Sequence, residues 1–399
     1  MNDLRVAMIC HEYPPYHIGG VGSYCYDLSR FVSKKKVSTV VICGRSPRRT
    51  IDRIDDHLTV IRLPFPDIAL RAYWFQLTNT SSIRSAIGQV DVVHAISPQS
   101  SAITALLKPQ HTPFVTTIHN VPRYWAKAFF SVDPSDWTLS ELLFSCCEMP
   151  VDEVLYKFCF QNSARIVSVS YSTLQQAKTI FPSLDAEKVS VIPNGIDLQR
   201  IEDAKCDCEQ ADLSQDADIL FFGRFAWMKG AKHVIEAANM LRKDVPKIKV
   251  KLVGTGPLLD RLRSKVRSLG LNDNVRFVGH QPLQGLIREI MTSSVVALPS
   301  SYEGQPIGVF EAMACGKPVV AFDYPFSREV ISSGRTGLLA RQGESEDLAG
   351  KIATLLDDQR LRRNLGNRSL EYVSKEHNWD LLADKYVDLY RGIESSSSA

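Results

Sequence analysis

The stretch from Ser300 to Ala321 reads SSYEGQPIGVFEAMACGKPVVA and places two carboxylates beside a turn that could hold phosphate. Glu303 and Glu311 flank a glycine- and proline-rich turn that opens into a short apolar helix. Unpaired N–H groups and the positive end of the dipole favour phosphate at a helix N-terminus. Carboxylates there would repel the ligand unless they faced its hydroxyl groups. The pattern therefore predicts a ligand with both a diphosphate and sugar rings, such as a nucleotide-sugar.

A second charged pair lies in the segment GRFAWMKG, where Arg224 and Lys229 are separated by a short loop after a predicted strand. Arginine offers a planar fork of donors and lysine a compact charge, which together suit a diphosphate. Their task would be to stabilise the negative charge that grows on the departing nucleoside diphosphate. Two surface cations that extend from the start of a helix are the alternative. The presence of Glu303 and Glu311 further along favours the functional interpretation.

A glycine-rich segment, IGGVG at 18–22, follows the first predicted strand and precedes a helix. Gly19 and Gly20 permit close approach of the backbone, so their amides could meet the phosphate or the sugar from the opposite wall of a site. A dinucleotide-binding loop is the competing interpretation. The segment does not spell G-x-G-x-x-G, and it lies behind the insertion HEYPPYH, so NAD binding is not expected.

Short β-branched runs alternate with helical patterns almost throughout the chain, which is typical of βαβ units around parallel sheets. The predicted strands are 5–10, 37–43, 58–63, 91–95, 114–118, 165–170, 189–193, 218–223, 249–254, 275–279, 295–299, 317–322 and 336–340. Ligands bind at the carboxyl ends of strands in open α/β sheets. The motifs follow the carboxyl ends of predicted strands. The candidate site therefore lies where an α/β fold is expected to bind its ligand.

Length and composition indicate an ordinary globular protein of two domains. The chain has 399 residues, a net charge of +3, 44% apolar residues and 23% charged residues. No apolar run approaches the roughly 20 residues of a membrane span. The N-terminus enters a strand pattern at once, which leaves no room for a signal peptide. Nine scattered cysteines favour reduced thiols, so we expect a cytoplasmic protein.

The middle and the end of the chain carry polar segments of different character. The acidic stretch 196–218 has no sustained apolar period and is interpreted as the loop-rich opening of a second domain. It contains a D-x-D pair, Asp216 and Asp218, but directly before a strand and away from the expected site, so no metal is predicted. A final helix is predicted over 377–393, followed by a disordered serine-rich end.

Several motifs together resemble glycosyltransferase family four, the glycosyl transferases group 1 of the retaining GT-B enzymes. They are PPYHIGGVGSY, TTIHNVP at 116–122, VIPNGID at 191–197, FFGRFAWMKG at 221–230, LVGTGP at 252–257 and the Glu-x7-Glu pair. The resemblance covers nearly the whole chain. It implies two doubly wound Rossmann-like domains that face a central cleft. Residues 1–194 plus 377–399 would form the acceptor-side domain and 195–376 the nucleotide-sugar domain.

The resemblance also implies roles for individual residues. His119 would lie beside the donor sugar, Glu303 would hold sugar hydroxyls and Glu311 the ribose hydroxyls. Amides near Gly308 and Val309 would meet the phosphate. Gly254 and Gly256 would border the nucleotide base through their backbone, and the turn at Asn194-Gly195 is interpreted as a structural hinge. The expected catalytic set is His119, Arg224, Lys229 and Glu303.

The implied reaction is retaining, metal-independent transfer of a hexose or N-acetylhexosamine from a nucleoside diphosphate sugar to a hydroxyl. UDP is preferred on family frequency, and no cofactor is expected besides the donor. The acceptor would be a glycan, a lipid-linked sugar or a small molecule. A sugar-nucleotide epimerase of the same fold would need no acceptor. A catalytically silent sugar-nucleotide-binding subunit would bind the donor without turnover.

Two further segments bear on the acceptor. Eight basic residues against one acid lie between Arg30 and Arg53. They form either a solvated surface or a patch for anionic phospholipid or a pyrophosphate-bearing acceptor. Aromatic residues are concentrated in 123–144, where they could stack on sugars, enter a membrane interface or simply pack a core. Peripheral contact with the inner face of the cell membrane is therefore an expectation, and nucleic acid is not an expected partner.

Overall fold

The computed structural model describes residues 4–15, 19–44, 48–64, 71–209 and 216–397. The chain divides into two compact units. Unit 1 consists of Met1–Tyr124, Leu143–Gly195 and Trp379–Ala399, and unit 2 consists of Trp125–Leu142 and Ile196–Asn378. Each unit is built around one sheet with helices packed against it, so the predicted α/β class with two Rossmann-like domains is confirmed.

Unit 1 contains an eight-stranded sheet in the order β3-β4-β2-β1-β5-β6-β7-β8. The strands are β1 (Arg5–Cys10), β2 (Ser38–Cys43), β3 (Thr50–Arg53), β4 (Leu58–Arg62), β5 (Val92–Ala95), β6 (Phe114–Ile118), β7 (Arg165–Ser168) and β8 (Val189–Val191). All neighbours are parallel except β3 and β4, which form an antiparallel pair at one edge. The strand order reverses between β1 and β5, and ligands bind at such switch points in doubly wound sheets.

Unit 2 contains an entirely parallel six-stranded sheet in the order β11-β10-β9-β12-β13-β14. Its strands are β9 (Ala217–Phe222), β10 (Val250–Val253), β11 (Val275–Gly279), β12 (Ser293–Ala297), β13 (Val319–Phe322) and β14 (Gly337–Ala340). The switch point lies between β9 and β12. Strands buried on both faces explain the nearly continuous apolar runs of the sequence.

Helices cover both sheets. In chain order they are α1 (Gly20–Lys34), α2 (Arg71–Thr78), α3 (Thr80–Ile87), α4 (Pro98–Leu107), α5 (Pro122–Phe130), α6 (Leu139–Leu143), α7 (Met149–Asn162), α8 (Tyr171–Ile180), α9 (Leu198–Glu209), α10 (Ala231–Leu241), α11 (Leu259–Ser268), α12 (Leu283–Met291), α13 (Ile307–Ala314), α14 (Pro325–Val330), α15 (Ser345–Asp357), α16 (Gln359–Glu376) and α17 (Trp379–Ser397). None of the described helices is long and apolar enough to cross a membrane.

The last helix is part of the core of unit 1. Trp379, Tyr386 and Tyr390 of α17 are fully buried in a cluster that also contains Tyr24 and Phe31 of α1. The indole ring of Trp379 stacks on Phe31 with ring centroids 6.4 Å apart. The chain therefore returns to its first unit after it has built the second.

The acidic stretch 196–218 differs from the sequence-based expectation of a loop, because Leu198–Glu209 forms helix α9. Ile201 and Ala204 are buried at helical spacing, and α9 packs against α12. Two buried side chains are too few to give a clear period in an otherwise polar sequence. At the C-terminus the helix continues to Ser397, so its serines extend α17, whereas Ser398 and Ala399 lie outside the described residues.

The division between the units differs from the expected boundaries in one segment. Residues 125–142 belong to unit 2, although the sequence-based assignment placed 1–194 in the first domain. The aromatic residues of this segment explain the difference, because Trp125 and Phe129 pack on Trp227, with ring centroids 5.5 and 5.7 Å apart. Lys232 also forms an ion pair with Asp136. Core packing therefore accounts for several of these aromatic side chains.

Candidate functional site

The loop that carries Arg224 and Lys229 follows β9 at the switch point of unit 2. Its second half is a short 3-10 helix, Trp227–Lys229, that ends at Gly230 in the left-handed conformation, with φ of 74°. A Cβ atom on Gly230 would lie 2.1 Å from the carbonyl oxygen of Pro299, so only glycine fits there. The Arg224 side chain is exposed, and it forms no ion pair with the described part of the chain.

The loop after β12 lies against this first loop and brings Glu303 to Lys229. The N–H of Ser301 donates to the carbonyl of Met228 at 2.8 Å. The Lys229 ammonium donates to Oε1 of Glu303, which also accepts a 3.0 Å hydrogen bond from the Ser300 hydroxyl. The two groups that the sequence assigned to phosphate and to sugar hydroxyls therefore form an ion pair. Lys229 is partly neutralised, and Arg224 supplies the uncompensated charge.

Helix α13 begins next to this loop and contains Gly308, Val309 and Glu311 within its first turns. The Gly308 Cα lies close to the Phe222 ring, since an added Cβ atom would be 3.1 Å from a ring carbon. The amide of Val309 donates to the carbonyl of Pro306 at 3.0 Å. That bond lies inside the first turn of the helix. The contact of amides near Gly308 and Val309 with phosphate, which the family resemblance implies, stays a prediction.

Gly254 and Gly256 pack on the backbone of the first loop. Gly254 has φ of 138°, and an added Cβ atom would lie 2.0 Å from the carbonyl oxygen of Gly223. The N–H of Phe225 donates to the carbonyl of Thr255 at 2.8 Å. These contacts hold the loop that carries Arg224, which by itself explains why a side chain is not tolerated at Gly254.

His119 lies in unit 1, directly after β6. One ring nitrogen bonds the backbone at Ile96, the residue after β5, and the remaining nitrogen, Nε2, is shielded from solvent without a partner among the described residues. A carbonyl partner fixes the proton on Nδ1, so the neutral ring presents Nε2 as an acceptor. Burial lowers the pKa of His119 to about 4, although the Ile96 bond opposes this. At neutral pH the ring can therefore accept a hydrogen bond from a hydroxyl.

A buried polar network next to His119 was not predicted from the sequence. The Tyr24 ring meets the His119 ring edge-on at 4.6 Å, and the Tyr24 hydroxyl bonds that of Tyr386. His94 links Tyr390 to Thr117, with both hydrogen bonds at 2.7 Å. Tyr24 and Thr117 lie in two of the sequence motifs, but their partners His94, Tyr386 and Tyr390 lie far from them in the sequence and in none of these motifs. The α17 helix thus contacts the elements that hold His119.

Gly19 and Gly20 lie at the start of α1 in unit 1, and both are exposed. Gly19 is extended, with φ of −146°, and an added Cβ atom would lie 3.6 Å from Oε2 of Glu12. The Glu12 carboxylate therefore lies beside the glycine segment. A negative charge at this position favours a hydroxyl over a phosphate as the neighbour of these amides.

The D-x-D pair is engaged by lysine residues. Asp216 forms an ion pair with Lys251, which also contacts Glu289 at 2.6 Å, and Asp218 accepts from the N–H of Lys249 at 2.8 Å. Within the described ranges, no group of three or more histidine, cysteine, aspartate or glutamate side chains is arranged to hold a metal ion.

Two family models match successive parts of the chain. The model for Glycosyltransferase Family 4 matches residues 18–200, and the model for Glycosyl transferases group 1 matches residues 209–372. Together they span most of the sequence, including both strand-end loops of unit 2. The chain belongs to the group 1 glycosyltransferases. It is therefore a glycosyltransferase, as its motifs predicted.

This glycosyltransferase is similar to curated proteins over most or all of its length. It is 25% identical to alpha-maltose-1-phosphate synthase of Mycobacterium tuberculosis, in an alignment that covers 98% of this chain and 100% of that protein. It is 30% identical to N,N'-diacetylbacillosaminyl-diphospho-undecaprenol alpha-1,3-N-acetylgalactosaminyltransferase of Campylobacter jejuni over 59% of this chain and 62% of that one.

Solved structures show that the glycosyltransferase has the GT-B fold. Sucrose-phosphate synthase from Thermosynechococcus elongatus superposes with a TM-score of 0.77 at 20% identity, covering 98% of this chain and 100% of that one. The Anabaena protein HepE, in a complex with UDP and glucose, superposes with a TM-score of 0.73 at 19% identity and the same coverage. The predicted fold family is confirmed.

Proposed function

We propose that this glycosyltransferase moves a hexose or N-acetylhexosamine from a UDP-linked sugar to an acceptor hydroxyl, with retention at the anomeric carbon. The observation that carries the proposal is the arrangement at the switch point of unit 2. Arg224, which is exposed and has no ion pair with a described residue, and the Lys229–Glu303 pair occupy adjoining loops beside the start of α13. A diphosphate supplies the anion that this charge distribution lacks, and a sugar supplies hydroxyls for a carboxylate.

In the proposed reaction the bond between the anomeric carbon and the diphosphate oxygen breaks, and a bond to the acceptor oxygen forms on the same face. The leaving oxygen gains negative charge, which Arg224 and Lys229 stabilise. The acceptor proton passes to an oxygen of the departing phosphate. No side-chain nucleophile takes part, so positioning and charge stabilisation provide the catalysis.

Sugar recognition is assigned to three side chains. Glu303 accepts hydrogen bonds from hydroxyls of the donor sugar, and Glu311 accepts from the ribose. His119 accepts from a further sugar hydroxyl through Nε2, which its neutral form leaves available. The Glu12 carboxylate beside Gly19 supports contact of that segment with sugar hydroxyls rather than with phosphate.

The first test measures the binding of UDP, GDP and ADP and their sugar conjugates. Binding is detected as a change in the melting temperature of the protein. A ligand that binds only the native state raises the melting temperature by mass action. We expect a rise with UDP and its conjugates that is lost in Arg224→Ala. Loss of one charge-assisted contact to the leaving group should lower kcat by about 10²-fold or more. Arg261→Ala, on helix α11, is a matched control for removal of an arginine.

The reaction type is tested by product analysis with the UDP-sugar that binds. NMR of the product should show the anomeric configuration of the donor. Free UDP with a rearranged sugar and no acceptor requirement would identify an epimerase instead. Donor binding without turnover for any hydroxyl acceptor would identify a silent binding subunit. Full activity of both Arg224→Ala and Lys229→Ala would contradict the assignment of the diphosphate.

We propose further that neither a metal ion nor a cofactor is needed besides the donor. The ion pair of Asp216 with Lys251 supports this, because the D-x-D acids already have cationic or N–H partners. Activity of the purified enzyme should survive excess EDTA. Loss of activity in EDTA that Mg²⁺ or Mn²⁺ restores would show that the donor diphosphate requires a cation.

A membrane-bound acceptor is proposed from the edge strand β3. Ile51 and Ile54 are 60% and 53% exposed, and Arg49 and Arg53 beside them are exposed too. Arg53 also forms an exposed ion pair with Asp56 at 3.6 Å. Elsewhere in the basic segment Lys35 pairs with Asp384 and Arg30 bonds the Tyr26 hydroxyl, and Arg45 lies outside the described residues. Cations beside exposed aliphatic side chains suit an anionic bilayer surface.

Cosedimentation with vesicles of phosphatidylcholine, with and without phosphatidylglycerol, tests this contact. The wild type should sediment only with the anionic vesicles, and Ile51→Ser with Ile54→Ser should reduce the bound fraction. Leu106→Ser at the exposed end of α4 is the matched control. Equal recovery with neutral and anionic vesicles would remove the membrane from the proposal and leave a soluble glycan or small molecule as acceptor.

A further inference from the structure

A second cluster of cations lines a cavity in unit 2 at the amino ends of the parallel strands, opposite the ends that carry the loops with Arg224 and Glu303. The cavity has a volume of about 220 Å³ and is bordered by the starts of β12 and β13 and the first turns of α16. Lys317, Arg362 and Arg363 contribute to its lining, and no acidic side chain of the described ranges does. The loops with Arg224 and Glu303 follow the carboxyl ends of β9 and β12, whereas the cavity lies at the starts of β12 and β13. The cavity is therefore distinct from the candidate donor site.

Among the described residues, Lys317 and Arg362 donate hydrogen bonds to backbone carbonyls. The Lys317 ammonium donates to the carbonyls of Met291 and Ser293 at 2.7 and 2.9 Å. The Arg362 guanidinium donates to the carbonyls of Leu355 and Leu356 at 2.9 and 3.2 Å. Within the described part of the chain, neither residue pairs with a carboxylate.

Arg363 is exposed and has no hydrogen bond or ion pair with the described residues. Three positive charges are thus placed around one small volume, and no carboxylate among the described residues lines it. Burial lowers the pKa of Lys317, and the charge of Arg362 lowers it further, although Cys315 opposes the change. Arg362 and Arg363 also lie near the N-terminus of α16, where the helix dipole disfavours cations. The folded chain therefore carries an electrostatic cost that an anion would remove.

We propose that this cavity is a second anion site, which binds a phosphate group through Arg363, Arg362 and Lys317. One ammonium hydrogen of Lys317 and several guanidinium hydrogens remain beyond the carbonyl contacts. Thr292 and Ser293 also line the cavity, but their hydroxyls donate to the carbonyls of Arg288 and Glu289, so the three cations supply the donors for phosphate. The volume exceeds the roughly 30 Å³ share of a water molecule several-fold, so it admits a phosphate with a small organic group.

Thermal unfolding in sodium phosphate, compared with sodium chloride at equal ionic strength, tests the site in the full-length chain. Phosphate also stabilises proteins in general, because it is excluded from their surface. The test therefore compares the gain in melting temperature between the wild type and its variants. The lead variant is Arg363→Gln, and Arg360→Gln is the matched control, since Arg360 lies on the same helix turn, is exposed and does not line the cavity. Arg224→Ala removes the donor-side arginine.

We expect wild type, Arg360→Gln and Arg224→Ala to gain a few degrees in phosphate, and Arg363→Gln to lose most of this gain. A titration by calorimetry should show a Kd about tenfold weaker for Arg363→Gln, and Arg363→Lys should keep part of the affinity. An equal gain in Arg363→Gln and Arg360→Gln would overturn the proposal. So would a gain lost only in Arg224→Ala, which would place the phosphate at the donor loops.

Two sources can supply the phosphate group, and a second probe separates them. Glycerol 3-phosphate should bind more tightly than inorganic phosphate if the organic group occupies the rest of the cavity. Equal affinities indicate a site for free phosphate. In both cases the binding must depend on Arg363. The role of Arg224 in donor binding is tested separately, by the experiment with UDP.

Discussion

At the scale of single residues, burial determines the protonation state of His94 and His119. His94 is fully buried between Tyr390 and Thr117, and burial lowers its pKa to about 3, with His119 adding to the effect. His119 is likewise held neutral, with a pKa of about 4. Neutral rings can accept hydrogen bonds from hydroxyls, whereas imidazolium could only donate. The hydroxyl-binding role proposed for His119 therefore depends on its surroundings.

The pH dependence of stability follows from the same shift. Because the folded-state pKa of His94 lies below its usual value of 6.5, the unfolded chain binds the extra proton first as the pH falls. The contribution of His94 is complete above pH 6.5 and declines by about 2 kcal/mol between pH 7 and pH 5. Urea unfolding at both pH values should show a smaller decline for His94→Gln than for the wild type.

Protonation of Asp152 increases the stability of the folded protein as the pH falls, opposite to the effect of His94. The wild type must therefore be compared with a variant. Burial raises the pKa of this carboxyl to about 6, although hydrogen bonds from Tyr73 and Gln99 oppose the shift. The folded chain then takes up the proton first, which adds about 1 kcal/mol between pH 7 and pH 5. The wild-type curve alone could look flat. Identical changes in wild type and His94→Gln would contradict the buried neutral state of His94.

At the scale of elements, the turn Asn194-Gly195 shows why a glycine can be required without a ligand. A Cβ atom on Gly195 would lie 2.6 Å from the ring of Trp379, which is itself 1% exposed. The buried ring has no room to move, because it stacks on Phe31. The expected role of this turn as structural is consistent with that contact.

Gly195→Ala should therefore destabilise the protein by about 1–3 kcal/mol, the usual cost of overpacking a core. The change is measured as a shift of the denaturation midpoint in urea. Gly350→Ala in helix α15 is the control, since a Cβ there meets no atom within 4 Å and alanine favours a helix. A midpoint that stays the same for Gly195→Ala would mean that the Trp379 ring shifts freely.

At the scale of the whole molecule, the C-terminal residues complete the first unit. Trp379 and the tyrosines of α17 lie in the same cluster as β1, α1 and β2, so unit 1 lacks part of its core until the chain is finished. Deletion of residues 379–399 should leave unit 1 unfolded and the protein insoluble or readily cleaved by protease. Deletion of 395–399 removes no described core side chain and should be tolerated. A soluble, protease-resistant product of the longer deletion would show that α17 is dispensable.

Much of the fold, and the position of the loops with Arg224 and Glu303 after strand ends, was predicted from the sequence alone. The strands of both sheets carry apolar runs between glycine-rich turns, so thirteen predicted runs correspond to strands with ends that differ by a few residues. The missed strand β3 is short, polar and at an edge, where burial imposes little pattern. Helix α9 was missed because so few of its side chains are buried. The hydrophobic pattern of a sequence reflects which side chains are buried. Fewer side chains are buried at the edge of a sheet, so the pattern is weaker there.

Other properties came only from the tertiary structure, because they depend on residues that the sequence does not place together. The sequence named Lys229 and Glu303 but not their ion pair, and it could not show that the Val309 amide is engaged by Pro306. The Tyr24–Tyr386 contact and the His94–Tyr390 contact join the last helix to residues of unit 1 that lie about 300 or more positions earlier in the sequence. Periodicity and motif spacing carry information along the chain, whereas pKa values, ion pairs and cavities depend on distances in space. Chain folding sets those distances, and it brings Lys317, Arg362 and Arg363 to one cavity that no described acidic side chain lines.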